Sequence, residues 1–169
     1  SYTPAVHFNG TVTFQSQACD GGALCASAMV TIDLTAVNDS PVVNGQSFST
    51  NEDVVLSGSV ATNDSDPEGQ PLIYSSTLLP ASGTLVLAPN GSFVFTPAPD
   101  YNGVVSFTYQ ACDEGGLCGT GTATIGVGAV NDLPAAGDGS AAMNEDTPFS
   151  GSLLSLASDT EGSALLFSV

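Results

Sequence analysis

The sequence predicts an all-β chain built as tandem antiparallel sandwiches, on three observations. First, the chain lies on itself at a shift of 93 residues, which carries Cys19 and Cys25 onto Cys112 and Cys118, and Asn51-Glu52-Asp53 onto Asn144-Glu145-Asp146. Of the 76 overlapping pairs (169 − 93), 34 are identical, and a fixed period marks a repeated structural unit. Second, short runs such as Thr11-Val12-Thr13-Phe14-Gln15, Ser106-Phe107-Thr108-Tyr109 and Thr122 to Val127 alternate or enrich β-branched and aromatic residues, as strands do. Third, no segment sustains an apolar stripe at helical spacing, so essentially no helix is expected.

Within the one complete repeat the strands are expected at 42–50, 54–60, 71–78, 83–88, 91–96, 103–110 and 120–129. Pro41 precedes the first, and Asn51-Glu52-Asp53 separates it from the second. The polar stretch Asp64 to Gly69 leads to the third strand, and Asn90-Gly91 turns the fourth into the fifth. Pro97 ends the fifth, Asn102-Gly103 opens the sixth, and Gly115-Gly116 turns the sixth into the seventh. Seven short strands with a turn every ten residues or so describe an immunoglobulin-like Greek-key β-sandwich. Residues 1–37 then supply the C-terminal strands (end of the fifth, the sixth, the seventh) of a preceding repeat, and residues 38–130 form one complete sandwich. Residues 131–169 supply the N-terminal strands (first, second, start of the third) of a following repeat. At 17 residues short of two periods (2 × 93 = 186), the chain reads as a window cut from a longer array.

Composition narrows function sharply. There are 17 Asp and Glu, one His and no Lys or Arg, for a net charge of −17. No carboxylate can pair with a Lys or Arg side chain, so the counter-charge must come from solution. Nucleic acids and anionic membrane surfaces are excluded as partners, because binding either one rests on Lys and Arg. Lysine-based crosslinks and Schiff-base chemistry are excluded on the same ground, and a single unrepeated His offers no nucleophilic triad, so no catalytic residue is expected. No apolar run has the length of a membrane span, and any export signal is expected outside this window. Ten of the acids occupy five repeat positions: Asp39/Asp132, Glu52/Glu145, Asp53/Asp146, Asp66/Asp159 and Glu68/Glu161. Solubility needs charge, but it does not need charge at fixed addresses.

Each repeat carries Cys-x5-Cys between its last two strands, with glycines that let the chain reverse within the loop. Two local disulfides are expected, Cys19 to Cys25 and Cys112 to Cys118, each stabilising its domain by about 2 kcal/mol at most and implying an oxidising compartment. Zinc held by these cysteines is disfavoured, since the only histidine, His7, becomes Asp100 in the next repeat.

The repeated acids point to metal. Asp64-Ser65-Asp66-Pro67-Glu68-Gly69 starts like an EF-hand loop, but Ser75 stands where that loop needs its bidentate Glu, and Ala157 replaces Asp64 in the next copy. Strand order assembles a larger site instead. The loop after the second strand lies at the same pole as the incoming linker, which gathers Asn38, Asp39, Asp64, Asp66 and Glu68 at a first junction. The loops after the first and fifth strands lie at the opposite pole, beside the outgoing linker. There Glu52, Asp53, Asp100, Asn131 and Asp132 meet Asp159 and Glu161 of the following repeat, at a second junction. Oxygen ligands of this number suit Ca²⁺, which takes six to eight of them in irregular loops. The first junction, with His7 in place of Asp100, should bind fewer ions or bind them more weakly.

At these residues the chain resembles the cadherin-like, immunoglobulin-like tandem repeats of bacterial extracellular adhesins and surface fibres. The match is carried by Ala36-Val37-Asn38-Asp39-Ser40-Pro41 and its copy Ala129-Val130-Asn131-Asp132-Leu133-Pro134, by the Asn-Glu-Asp box, by Asp64 to Gly69, by Gly91 to Pro97 and by Tyr101-Asn102-Gly103. The cysteine loops and the loss of every Lys and Arg depart from that pattern. The resemblance implies an extracellular, cell-surface or secreted shaft whose junctions are stiffened by calcium and whose partners are neighbouring repeats or subunits of the same protein. Two other functions compete with it. Residues 131–169 of one chain and 1–37 of another could share strands head to tail in a surface filament. A carbohydrate-binding module is less favoured, for there is no Trp, and Tyr101 and Tyr109 fit sandwich packing better than an exposed platform.

Overall fold

The computed structural model describes residues 1–168. Its strands are β1 (Gly10–Cys19), β2 (Cys25–Leu34), β3 (Gln46–Asn51), β4 (Leu56–Ser59), β5 (Ile73–Leu78), β6 (Thr84–Leu87), β7 (Ser92–Thr96), β8 (Gly103–Cys112), β9 (Cys118–Gly128), β10 (Ala135–Ala136) and β11 (Ala157–Ser158). Among the described residues the only helical segments are single 3-10 turns at Ala61–Asn63 and Leu154–Leu156, themselves 93 residues apart. The chain is all-β and immunoglobulin-like: a sheet of order β3-β9-β8-β5 faces a sheet of order β4-β7-β6.

Two features of this sandwich place the acids. β3 runs parallel to β9, with Asn51 beside Gly128, so the loop that leaves β3 sits where β9 hands over to the outgoing linker. At the other pole Val42 bridges Ser65, tying the incoming linker to the loop after β4. The first strand is therefore shorter than the expected 42–50. Val42 pairs with that loop, Asn44 donates its N–H to Asp64 Oδ1 at 2.8 Å, and the chain joins the sheet only at Gln46.

Alternation builds the core. Along β8 the inward positions are Val105, Phe107, Tyr109 and Ala111, and along β9 they are Ala123, Ile125 and Val127, all buried. Phe93 and Phe95 of β7 close the cluster from the other sheet, with the Phe93 and Phe107 rings edge to face at 5.5 Å. Tyr109 lies fully buried and donates its hydroxyl to the Asn44 carbonyl at 2.9 Å. Its ring leaves no room for a side chain at Gly121, where a Cβ would stand 2.7 Å from the phenol.

The flanking segments repeat this design incompletely. β1 and β2 pair in the register of β8 and β9, but without sheet neighbours, and Phe14 is 47 % exposed where its counterpart Phe107 is 0 % exposed. Ala135 pairs with Ser158, which reproduces the Val42–Ser65 bridge 93 residues later. Residues 139–144, 149–152 and 164–168, the counterparts of β3, β4 and the approach to β5, form no strand. A strand needs a partner for its N–H and C=O groups, and these stretches have none among the described residues.

Burial, followed by the Asp64 charge, raises both Tyr74 and Tyr109 to about 12. A phenol ionises near 10 in an unfolded chain, so their contribution to stability is complete below about pH 10 and is lost as pH rises toward about 12. With no Lys and no free Cys, phenols are the side chains that titrate in this range. Alkaline unfolding followed by phenolate absorbance and circular dichroism should show the transition and proton release together. Tyr74→Phe should remove part of the pH slope, and an unchanged slope would contradict this assignment.

Candidate metal centre

At the trailing pole the β3–β4 loop grips the outgoing linker. Glu52 donates its N–H to the Gly128 carbonyl at 2.9 Å and accepts the Val130 N–H on Oε1. The side chain is only 2 % exposed, and Oε2 is buried with no hydrogen-bond partner. Asp53 and Asp100 both take left-handed backbone, at φ 58° and 55°, and Asp53 Oδ1 accepts the Asp100 N–H at 3.4 Å. Across the linker Asp132 donates its N–H to Glu161 Oε2 at 3.1 Å, and Asp132 Oδ2 is likewise buried without a partner.

Five carboxylates thus converge as two groups sharing Asp132. One ligand atom each from Glu52, Asp132 and Glu161 lie within 4.8 Å of one another, as do one each from Asp53, Asp100 and Asp132. Burial, then Glu161, Asp100, Asp53 and Glu52 in that order, hold the Asp132 carboxyl above its ordinary range. The other two expected ligands face different tasks. Asn131 donates to the Asp132 carbonyl at 3.2 Å, and Asp159 Oδ1 accepts the Ser163 N–H at 2.7 Å to shape its own loop.

The leading pole repeats the scheme with fewer acids. Asp39 donates its N–H to Glu68 Oε2 at 3.0 Å, matching Asp132 and Glu161. Asp66 Oδ1 accepts the N–H groups of Glu68 and Gln70, both at 3.0 Å, while Asp66 Oδ2 and Asp64 Oδ2 are buried and unpartnered. Burial raises the Asp64 carboxyl. His7 Nδ1 lies 2.5 Å from Asp39 Oδ2, and this hydrogen bond is the main cause that lowers the Asp39 carboxyl. Asn38 ties the linker to the disulfide loop and to the β4–β5 loop. Its amide donates to Asp113 Oδ2 at 2.9 Å and accepts from Gln70 Nε2 at 3.0 Å.

That contact brings in two residues absent from the sequence-based set, Asp113 and Gln70. Asp113 opens the loop closed by the Cys112–Cys118 disulfide, is 5 % exposed, and also accepts the Leu117 N–H at 2.9 Å. Gln70 accepts the Glu114 N–H at 3.2 Å, so the disulfide loop, the β4–β5 loop and the linker form one clasp. Asp113 carried a readable signal: it lies 93 residues after Asp20, a sixth repeated acid position. Asp20 accepts the matching N–H of Leu24, and that of Gly22 as well, beside the Cys19–Cys25 disulfide, but is exposed.

The bacterial Ig domain family matches residues 38–126, the stretch that forms the sandwich. The chain belongs to the bacterial Ig domain family. No curated protein matches the sequence. Among solved structures, the extracellular cadherin domains 1–5 of protocadherin gamma B2 align at a TM-score of 0.55 and 16 % identity, over 82 % of this chain and 29 % of that one. Human mucin-like protocadherin EC1–2 aligns at 0.51 and 19 % identity, over 76 % of this chain and 73 % of its own. An endo-fucoidan hydrolase of glycoside hydrolase family 107 aligns at 0.44 and 21 % identity, and this chain spans 20 % of its length. The two protocadherins share the fold of this bacterial Ig domain.

The clasp makes unequal predictions for two matching acids. Asp113→Ala leaves the Asn38 amide and the Leu117 N–H without their acceptor and should cost about 1–3 kcal/mol of stability in urea denaturation. Asp20→Ala should cost well under about 1 kcal/mol, because its loop is solvated. Equal costs would show that the linker contact contributes nothing.

Proposed function

We propose that the chain is a structural repeat segment of an extracellular fibre or adhesin shaft, in which calcium stiffens the junctions and disulfides staple the loops. In this reading residues 1–37 end one repeat, residues 38–130 form a whole one and residues 131–169 begin the next. The observation that carries it is Glu52: a carboxylate 2 % exposed, one oxygen on the linker N–H and the other unpartnered, facing Asp132 and Glu161 of the following segment. A buried carboxylate without a cationic partner costs several kcal/mol unless a cation joins it, and this chain has no Lys or Arg to supply one. The residues fit calcium: Glu52, Asp53, Asp100, Asp132 and Glu161 offer only hard oxygen donors from irregular loops.

An ion shared by Glu52 and Glu161 would hold the residues before and after Asp132 at fixed separation, turning a hinge into a strut. The two disulfides fit an oxidising compartment, and no described helix is long and apolar enough to cross a membrane. The family and the protocadherin fold support a structural role without naming a ligand for the shaft's tip.

A second reading, head-to-tail strand sharing in a surface filament, draws support from the β1–β2 hairpin. Its inner face is uncovered at Phe14, where the same face of β8 and β9 is buried by β7. Sedimentation over a wide concentration range separates the two readings, since a shaft segment stays monomeric and a filament subunit does not.

Small-angle scattering with calcium and with chelator tests the main reading. Chelation should broaden the distance distribution and shift its maximum, whereas Glu52→Gln should weaken the calcium response without unfolding the sandwich. A chain whose dimensions ignore calcium would exclude the stiffening mechanism.

A further inference from the structure

At the leading junction an imidazole stands where the trailing one has a carboxylate, a change of donor type that bears on which ion can be held there. His7 stands 93 residues before Asp100 and holds the same left-handed backbone, φ 56° against 55°, before an aromatic residue, an Asn and a Gly in both copies. The imidazole therefore enters the acid cluster at the address where the other junction has a carboxylate. One donor atom each from His7, Asp39 and Glu68 lie within 4.8 Å of one another. They border a cleft of about 230 Å³ that Phe8 and Val37 line on its apolar side. His7 and Asp39 remain 47 % and 39 % exposed, so an ion can reach them.

We propose that this site takes a borderline divalent ion of the zinc class, held by the His7 imidazole and the Asp39 and Glu68 carboxylates. The inference rests on the reading of the junctions as cation sites, and concerns which cation. Calcium is coordinated by oxygen, whereas an imidazole nitrogen with carboxylates suits zinc, cobalt or nickel. Zinc bonds of about 2.0–2.2 Å hold donors about 3.5 Å apart, so an ion would replace the 2.5 Å His7–Asp39 hydrogen bond and draw Glu68 in, adjustments that half-exposed side chains can make.

His7 is the only histidine, so its ring nitrogens report on this site alone in a tag-free chain. Titration with zinc chloride, in the presence of calcium, should shift the His7 ring ¹⁵N resonances and saturate near one equivalent, whereas calcium alone should not saturate them. His7→Asp should weaken zinc binding roughly tenfold or more, and Asp39→Asn should do the same with the imidazole still present. Ring resonances unmoved by excess zinc, or a His7→Asp variant that binds zinc as the parent does, would overturn the proposal. A zinc response at His7 in a chain whose shape ignores calcium would reject the shaft mechanism and leave this site standing, so the two failures are distinct.

Discussion

A polypeptide with 17 carboxylates and no Lys or Arg must satisfy its buried acids with backbone N–H groups or with ions from solution. The structure uses the first device on one oxygen of each key residue. Glu52 holds the Val130 N–H, Asp64 that of Asn44, Glu68 that of Asp39, and Glu161 that of Asp132. Each bond joins a loop to a linker or to the start of a strand, so the acids locate the chain where it passes from one segment to the next. The second oxygens of Glu52, Asp64 and Asp66, and Oδ2 of Asp132, have no partner and no solvent. The raised carboxyl of Asp132 expresses the same imbalance, because burial and four neighbouring acids disfavour its charge together.

The sandwich positions these groups through two unlike pairings. Parallel pairing of β3 with β9 brings the Glu52 loop to the outgoing linker, and the Val42–Ser65 bridge brings the Glu68 loop to the incoming one. Both poles then share a common pattern in which a linker Asp donates its N–H to a Glu two residues past a loop-forming Asp. The disulfide loop adds a further tie at the leading pole, where its Asp113 closes over Asn38.

Much of this was legible in the sequence, for reasons that can be named. Strands β7, β8 and β9 lie close to their expected limits because alternation and Asn-Gly or Gly-Gly turns coincide there, and the cysteine spacing implied both disulfides. Strand order alone was enough to put Glu52 beside Asp132 and Glu68 beside Asp39. Hydrogen-bond roles were less legible, because composition cannot tell a carboxylate that faces a cluster from one that shapes its own turn. Asp159 belongs to the second kind, as does its counterpart Asp66 through Oδ1, and Asp113 was overshadowed by the cysteines around it. The flanking halves kept the repeat pattern but not its sheets, since sheet formation depends on partners that a local sequence does not contain.

The central claim is that ions from solution supply the positive charge this junction lacks. A crystal structure determined with calcium present, with anomalous differences measured at a wavelength where calcium scatters strongly, tests it most directly. The account predicts a peak coordinated on one side by Glu52 and on the other by Asp132 or Glu161. A junction holding only water, with those three carboxylates turned away from one another, would contradict it.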